Sequence, residues 1–324
     1  MTADSDIIAN LSDRKGADAV AVSVSLGASD RDSSVAIKLS GRQVRISRFG
    51  VNGDMARMGA LLKALDGRVD ALGIGGADLG CLVDTRWYPF HSIAALARPV
   101  RRTPVVDGSG LKIVLERRVS SELESGGRKL LAGKKRTAFL TTGCNRWGLL
   151  QALEASGFSV VNGDLMFGLG LPVPVRSKKS VKTLAAMLLP IVGRLPFKWL
   201  YPTGEKQHVN KPRWSTWYDR STVIAGDTHY ITHTMPGRLE GKIIIANTVT
   251  ESDMSLFRDR KAAAVITTTP VFEGRAFGTN VLEAALLAAN GRKSPVDYKK
   301  NEGYLSELTG LVKSAELHPS TVML

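Results

Sequence analysis

The 324-residue chain is long enough for two domains, and its 44% hydrophobic and 23% charged residues are typical of a soluble globular protein. Two cysteines, Cys81 and Cys144, exclude a disulfide framework and indicate a reducing compartment, so we expect a cytoplasmic protein. The net charge of +14 favours anionic partners. Because the basic residues are spread along the chain and form no helix-turn-helix, zinc-finger or RNA-recognition signature, we do not expect a nucleic-acid partner.

The N-terminal third alternates short strands with helices. Residues 1–18 are polar, with acidic residues where a signal peptide would be basic, so they predict no leader and a mobile tail with at most a short helix near residues 7–11. Strands follow at 19–26, 35–39, 43–49, 69–74 and 103–106, and helices at 55–65, 90–97 and 111–122. This pattern predicts an α/β domain over residues 19–123, which ends at the polar and basic stretch 121–136.

A second α/β pattern begins after that junction. Strands are predicted at 137–141, 158–161 and 222–225, and the most apolar helix is predicted at 177–195. The aromatic, aperiodic stretch 196–217 indicates an ordered lid or a subunit contact, which favours a homo-oligomer. The helix at 177–195 is interrupted by Pro190 and Gly193, so it predicts no stable membrane insertion.

The stretch 241–289 carries the strongest signal for a site. Short apolar strands at 243–246 and 262–266 alternate with helices that begin near Thr250 and Thr279, so the strands are expected to be parallel and covered. Polar residues just past parallel strand ends face the ligand crevice of such sheets. The fold class is therefore an N-terminal α/β domain followed by a Rossmann-like parallel-sheet domain over residues 136–292, with a helical tail over residues 293–324.

Two groups of residues are candidates for proton transfer. Asp107 and Lys112 flank a glycine-rich strand end, where a lysine can bind an anion or act as an acid or base. Asp227 and His229 follow another strand end and, on an extended segment, would point to the same side. No third ligand with diagnostic spacing accompanies them, so no metal is expected.

Two further groups are candidates for binding. One is a cradle of hydroxyl, amide and guanidinium groups for the substrate anion, formed by Ser109, Arg275, Thr279 and Asn280. The other is a nucleotide site in which an acidic residue lies about twenty positions past the first turn glycine; its members are Gly143, Asn145, Arg146, Asp164, Asn247, Thr248, Thr268 and Thr269. The turn does not match G-x-G-x-x-G, and an ordinary crossover is the alternative for this unit.

Four stretches carry a family resemblance: VDGSGLKIVLERRV at 106–119, LYPTGEKQ at 200–207, AGDTHYI at 225–231 and TTTPVFEGRAFGTNVLEA at 267–284. Together they resemble bacterial quinate/shikimate 5-dehydrogenase-like proteins, which carry a shikimate dehydrogenase/glutamyl-tRNA reductase-type Rossmann domain. The resemblance implies that NAD or NADP is the cofactor. Asn247-Thr248 is similar to the Asn-Ala-Thr that ends a strand near the nicotinamide in that superfamily, whereas the turn 143–148 departs from its Gly-rich fingerprint.

The leading interpretation is an NAD(P)-dependent oxidoreductase that acts on a small anionic or polyhydroxylated substrate, with proton transfer by Lys112 or by Asp227 and His229. Two alternatives remain open from the residues alone. One is a nicotinamide-independent enzyme, such as a lyase, transferase or dehalogenase, that uses the same strand-end cleft. The other is a ligand-binding or membrane-surface protein that uses the region 177–201.

Overall fold

The computed structural model describes residues 2–125, 130–196, 210–269, 271–272 and 275–324. The first part of the chain forms helices α1 Thr2–Ser12, α2 Met55–Leu65, α3 His91–Ala97, α4 Ser109–Arg117 and α5 Val119–Glu124. Its strands are β1 Ala19–Ser25, β2 Ser33–Leu39, β3 Arg42–Gly50, β4 Ala71–Gly75, β5 Gly80–Val83, β6 Arg86–Pro89 and β7 Val105–Val106.

The remaining strands are β8 Thr137–Leu140, β9 Ser159–Asn162, β10 Val223–Gly226, β11 Ile243–Ala246, β12 Ala264–Thr267, β13 Val271–Phe272, β14 Arg275–Ala276 and β15 Ser320–Met323. The remaining helices are α6 Trp147–Ala155, α7 Asp164–Leu169, α8 Lys178–Val192, α9 Ser215–Arg220, α10 Thr228–Thr234, α11 Glu251–Asp259, α12 Thr279–Ala289 and α13 Asn301–Ser314. The structure is thus a mixed α/β fold with parallel sheets, as the sequence predicts.

The chain divides into two compact units, and each combines separate segments. Unit 1 consists of 1–111, 189–201 and 278–316, and unit 2 consists of 112–188, 202–277 and 317–324. The sequence predicts that the helix at 279–289 belongs to the second domain. In the structure this helix, α12, belongs to unit 1, because its apolar residues pack on β1 and β4.

Unit 1 is built on a five-stranded sheet in the order β2-β3-β1-β4-β7. Strands β1, β3, β4 and β7 run parallel, and β2 joins β3 as the predicted antiparallel hairpin. Strand β1 is buried along its whole length, which requires cover on both faces of the sheet. Helix α12 supplies part of that cover, with every residue from Val281 to Ala289 buried.

Unit 2 is built on a six-stranded sheet in the order β15-β12-β11-β10-β8-β9. All strands from β8 to β12 run parallel, and each pair is in register over three or four residues. From β8 the chain first adds β9 on one side. It then adds β10, β11 and β12, in that order, on the other side of β8. The chain therefore reverses its strand order between β8 and β10, which makes this junction the topological switch point of a Rossmann-like sheet.

Both termini hold more regular structure than the sequence predicts. Residues 1–18 were expected to be a mobile tail with at most a short helix near residues 7–11, whereas α1 covers Thr2–Ser12, and Arg45 donates hydrogen bonds to the carbonyls of Asn10 and Asp13 at its end. The C-terminal stretch was expected to hold one helix, and the structure adds β15, which pairs antiparallel with β12. The alternation of β15 is too short and too polar to have predicted a strand, and its partner supplies most of its hydrogen bonds.

Candidate functional site

Arg146 is the centre of a charged cluster at the switch point of unit 2. It lies at the end of the turn that follows β8, and its guanidinium is buried between two carboxylates. Its Nη1 donates to Glu116 Oε1 over 2.8 Å, while its Nε and Nη2 donate to both oxygens of Asp227, the first over 3.1 Å. A planar guanidinium bonded on two edges in this way is held in one orientation.

The pKa values of these two carboxyl groups are shifted in opposite directions. Burial would raise the pKa of Asp227, but the charge and hydrogen bonds of Arg146 outweigh it and lower the pKa. Burial dominates at Glu116 and raises its pKa, although Arg146 and Lys112 act against it. The Asp227 side chain keeps 28% of its surface exposed, against 1% for Glu116, which explains why Asp227 is the ionised partner of Arg146.

Lys112 is a second cation that acts on Glu116 and Asp227. Its Nζ donates to Asn145 Oδ1 over 2.8 Å, so the lysine is tied to the same turn that carries Arg146. Asn247, at the end of β11, adds a third strand end, because its Nδ2 donates to Asp227 Oδ1 over 3.1 Å. Its Oδ1 accepts the backbone N–H of Thr228 over 3.0 Å, which fixes the amide between β10 and β11. Four of the predicted site residues therefore gather with Arg146 at one edge of the sheet.

The turn after β8 is closed by a carboxylate. Asp164 accepts the backbone N–H of Gly143 over 2.9 Å and that of Cys144 over 2.8 Å. A side chain on Gly143 would begin 2.6 Å from Asn162 Oδ1, so glycine is required for this approach. The acidic residue that the sequence analysis assigned to a ribose thus binds the turn itself.

The N-terminus of α6 is closed in the same manner. Glu116 Oε2 accepts the N–H of Leu149 over 3.1 Å, in the first turn of the helix. In a dinucleotide-binding Rossmann domain this position, at a helix N-terminus beside the first strand, receives the diphosphate. Here a buried carboxylate of the chain occupies it.

Buried polar atoms without a hydrogen-bond partner lie near this edge. Within the described residues they include Thr141 Oγ1 and Thr142 Oγ1 after β8, and Asn162 Oδ1 at the end of β9. Buried polar side chains are satisfied by the protein or by water in most proteins. These three atoms mark a place where a polar ligand or ordered water would complete the hydrogen bonding.

The predicted pairing of Asp227 with His229 rested on an extended segment, and that premise is wrong. Asp227 is the N-cap residue of α10, and His229 lies in the first turn of that helix. The His229 ring is exposed and lies 6.0 Å from the ring of His233, nearly parallel to it. The helix was missed because its threonine, histidine and tyrosine residues carry little apolar periodicity.

Thr268 and Thr269 follow the strand β12, which ends at Thr267, but do not form an open cradle. Both are buried, and Thr269 Oγ1 is among the described side-chain atoms that lack a partner. Thr248 is half-buried, and its carbonyl accepts from Thr228 Oγ1 over 3.4 Å. The side chain of Arg275, predicted to bind substrate, lies outside the described residues.

The other predicted residues lie in unit 1, where they surround two buried carboxyl groups. Asp107 Oδ1 accepts the N–H of Ser109 over 2.9 Å and the hydroxyl of Tyr298 over 3.1 Å. Glu283 accepts the N–H of Leu111 over 2.9 Å and the hydroxyl of Tyr304 over 2.5 Å. Burial, together with the charge of Asp107, raises the pKa of Glu283 to about 7.

Thr279 and Asn280 begin α12 against the loop that follows β7. Gly108 has φ +90° there, and a side chain on it would begin 2.4 Å from Asn280 N and Thr279 Oγ1. Asn280 Nδ2 donates to Ser23 Oγ over 2.6 Å. Both residues therefore join α12 to the sheet of unit 1.

Sequence reasoning missed four residues that organise these sites: Glu116, Glu283, Tyr298 and Tyr304. A signal for two of them was present. Glu283 is the one charged residue of the apolar helix TNVLEAALLAA, and Glu116 follows the apolar run of α4. A carboxyl group on the buried face of a helix needs a partner, so either residue could have been selected on that ground.

Two family models match the chain, and both carry descriptions without a function. "Domain of unknown function (DUF8754)" matches residues 110–322, and "Domain of unknown function (DUF8753)" matches residues 20–107. No curated protein matches the sequence. The resemblance to the quinate/shikimate 5-dehydrogenase-like group stays a prediction.

The similar solved structures are of two kinds. An NAD-dependent malic enzyme from Thermotoga maritima is 14% identical, with 94% of this chain and 80% of that chain covered and a TM-score of 0.43. A carbohydrate transporter solute-binding protein from Agrobacterium radiobacter, in complex with D-arabinose, is 10% identical over 90% and 98%, with a TM-score of 0.38. A glutamate dehydrogenase mutant is 12% identical over 84% and 65%, with a TM-score of 0.37. These likenesses are too distant to choose between a dehydrogenase and a binding protein.

No helix among the described residues has the length and hydrophobicity to cross a membrane. Within the same residues, no three His, Cys, Asp or Glu side chains gather in a way that could hold a metal ion.

Proposed function

We propose that this chain, which belongs to the family described as "Domain of unknown function (DUF8754)", is an enzyme that binds a small anionic substrate at the switch point of unit 2. One observation carries the proposal: Lys112, Asn145, Arg146, Asp227 and Asn247 form a connected polar network at the carboxyl ends of three parallel strands. Open α/β sheets bind their ligands at this place.

Lys112 is the group that we propose for the substrate anion and for proton transfer. An ammonium has three N–H donors, and its bond to Asn145 uses one of them. The lysine is half-buried, so an anion beside it would be partly removed from water and its interaction with the charge strengthened.

Asp227 has a different proposed role. Its lowered pKa keeps it ionised at neutral pH, and Arg146 and Asn247 fix the orientation of its oxygens. An oriented carboxylate of this kind accepts a hydrogen bond from a substrate hydroxyl. His229, exposed in the first turn of α10, remains the alternative proton carrier.

The experiment compares ligand binding by Lys112→Met, Asp227→Asn and the unaltered protein. A panel of small carboxylates and polyhydroxylated acids, with quinate and shikimate included, is screened by thermal shift and then by calorimetry. We expect at least one acid to bind, and either substitution to weaken that binding by about tenfold, the effect of one lost charge-assisted hydrogen bond. Lys134→Met removes an exposed lysine of the same unit and serves as the control.

Binding of the acid by Lys112→Met with unchanged affinity, in a protein whose circular dichroism matches that of the unaltered chain, would contradict the proposal. The same conclusion would follow if Lys134→Met lost as much affinity as Lys112→Met. Loss of affinity in both site variants, with the control intact, supports it.

An NAD(P)-dependent oxidoreductase is the second candidate. The strand order of unit 2 favours it, as does Asp164, which follows Gly143 by 21 positions. However, the N–H groups that would receive the diphosphate are bonded to Glu116 and Asp164. The residues present do not fit a dinucleotide in that pose, and we derive no step through the nicotinamide.

Titration with NADH and with NADPH, followed by tryptophan fluorescence, separates the two candidates. Trp147 begins α6 and is buried beside the switch point, so a nucleotide bound there would change its emission. Saturable quenching at micromolar cofactor would establish the second candidate. An unchanged spectrum at millimolar concentrations of both cofactors would remove it and leave the first untouched.

The proposal also includes a cellular location and an oligomeric state. We propose a cytoplasmic location, in keeping with Cys81 and Cys144, which form no disulfide with each other. We also propose a homo-oligomer, which light scattering on the purified chain would test directly.

A further inference from the structure

A basic and apolar surface covers part of unit 2. Four large apolar side chains are exposed there, to 56% at Leu169, 47% at Leu171, 48% at Val173 and 59% at Met187. Soluble proteins rarely gather exposed apolar side chains without a binding purpose. We call this surface, together with its neighbouring basic residues Arg176, Lys179 and Arg213, the basic face.

The charges of the basic face have one sign. From residue 165 to residue 188 the sequence contains Arg176, Lys178, Lys179 and Lys182 and no aspartate or glutamate. Lys178 is paired with Glu154 over 2.9 Å, whereas Arg176 and Lys179 line a groove of about 520 Å³ with Met187. Two cationic groups therefore share this groove with the exposed Met187 side chain.

Two tryptophan rings lie against arginines of the basic face. Arg176 lies 5.4 Å over the ring of Trp217, and Arg213 lies 4.7 Å over the ring of Trp214, both on helix α9 or at its start. Arg213 Nη2 lies 4.0 Å from the position that a Cβ on Gly170 would take, so the guanidinium is near the segment that carries Leu169 and Leu171. Half-buried tryptophan beside arginine is the composition of membrane interfaces, where the ring lies at headgroup level.

Helix α8 presents the same division along its length. Val181 and Ala185 face the interior, and Lys179, Lys182, Thr183 and Met187 are exposed. A helix with a basic and apolar outer face lies in the plane of an anionic bilayer surface, with its apolar side chains among the headgroups. Each basic residue near such a surface adds to the attraction.

The basic side chains of this face complement anionic headgroups, and its exposed apolar side chains complement the lipid beneath them. We therefore propose that the basic face of unit 2 binds reversibly to the surface of an anionic lipid bilayer. The binding is peripheral and does not depend on the enzymatic proposal. It brings unit 2 to a membrane by the basic residues, and the exposed leucine, valine and methionine side chains add apolar contact.

Flotation of the full chain with vesicles tests this inference. Vesicles of phosphatidylcholine alone are compared with vesicles that also contain phosphatidylserine, at low and at high salt. We expect binding to the serine-containing vesicles that is at least tenfold stronger than to the neutral vesicles and that weakens with salt. Soluble protein on both kinds of vesicle, or equal binding to both, would overturn the proposal.

Matched variants place the contact. Arg176→Glu with Lys179→Glu is expected to abolish flotation, and Leu171→Ser with Met187→Ser to reduce it at high salt, where apolar contact dominates. Arg258→Glu with Lys261→Glu makes the same change of charge on another exposed surface of unit 2 and is expected to float normally. Because all six residues are exposed, circular dichroism should show unchanged folds.

Three results would contradict the assignment. The first is flotation of Arg176→Glu with Lys179→Glu at the level of the unaltered chain. The second is an equal loss in the Arg258→Glu, Lys261→Glu control, which would mean that net charge alone drives binding. The third is self-association in light scattering that Leu171→Ser with Met187→Ser removes while flotation persists, which would assign the face to a second copy of the chain.

Discussion

Glu283 is a buried carboxyl group of unit 1 that keeps its proton to a higher pH than an ordinary glutamate. It lies among Asp107, Tyr298 and Tyr304 with no cation bonded to it in the described contacts. Burial and the charge of Asp107 both oppose ionisation, and this raises the pKa of Glu283 to about 7. Arg146 gives the carboxylates of unit 2 the counter-charge that Glu283 lacks.

This contrast predicts the pH dependence of stability. The folded pKa of Glu283, about 7, lies above its ordinary value of 4.5, so the folded state binds more protons between these values. The contribution of Glu283 is therefore fully present at lower pH and is lost as pH rises toward 7. We expect Glu283→Gln to flatten this decline in the free energy of unfolding, measured by urea titration across that range.

Glu302→Gln makes the same charge change at an exposed position of the same unit and is the control. Its unfolding free energy should follow that of the unaltered chain at every pH. Parallel curves for Glu283→Gln and the unaltered chain would show that Glu283 keeps its ordinary pKa, contrary to the argument.

At the scale of the elements, the N-termini of two helices are each capped by a buried glutamate from another helix. Glu283 on α12 accepts the N–H of Leu111 in α4, and Glu116 on α4 accepts the N–H of Leu149 in α6. The first N–H groups of a helix have no partner within the helix, and a carboxyl oxygen there satisfies one of them. Each of these helix N-termini is therefore bonded to another helix of the chain. For α6, this explains why the turn after β8 does not have the sequence of a phosphate-binding loop.

Helix α11 begins with a local cap instead, and its strength can be measured. Thr250 Oγ1 accepts the N–H of Asp253 over 3.2 Å, while Asp253 accepts the N–H of Thr250 over 2.9 Å. Thr250→Ala removes one half of this capping box and should lower the free energy of unfolding by about 1 kcal/mol. Ser255→Ala, an exposed position in the same helix, should change it little, and equal effects of the two substitutions would contradict the role of the cap.

The capping box shows what the sequence could reveal about the elements. Thr250 and Asp253 are three residues apart, so their interaction is local and the helix start was predicted from it. The caps by Glu116 and Glu283 join residues 33 and 172 positions apart, and no local pattern indicates their partners. The strands β8 to β12 were predicted because buried parallel strands are continuous apolar runs, whereas β15 depends on its partner.

At the scale of the whole molecule, the order of segments along the chain does not match the compact units. A polypeptide that alternates strands and helices was divided by sequence into consecutive domains at 123 and 136. The structure instead returns α12 and α13 to unit 1 and the last strand to unit 2. The apolar faces of helices predict that they are covered, but they do not specify which sheet covers them.

The interleaved order predicts that residues 110–324 do not fold alone. That fragment contains α12 but lacks β1 and β4, on which the helix packs. Val281, Leu282, Leu286 and Leu287 would then be exposed, at a cost of about 1.5–3 kcal/mol for each side chain. We expect the fragment to aggregate, and co-production with residues 1–109 to restore a soluble complex that unfolds cooperatively. A monomeric fragment 110–324 with a cooperative unfolding transition of its own would refute this, because α12 would then be stable without the sheet of unit 1.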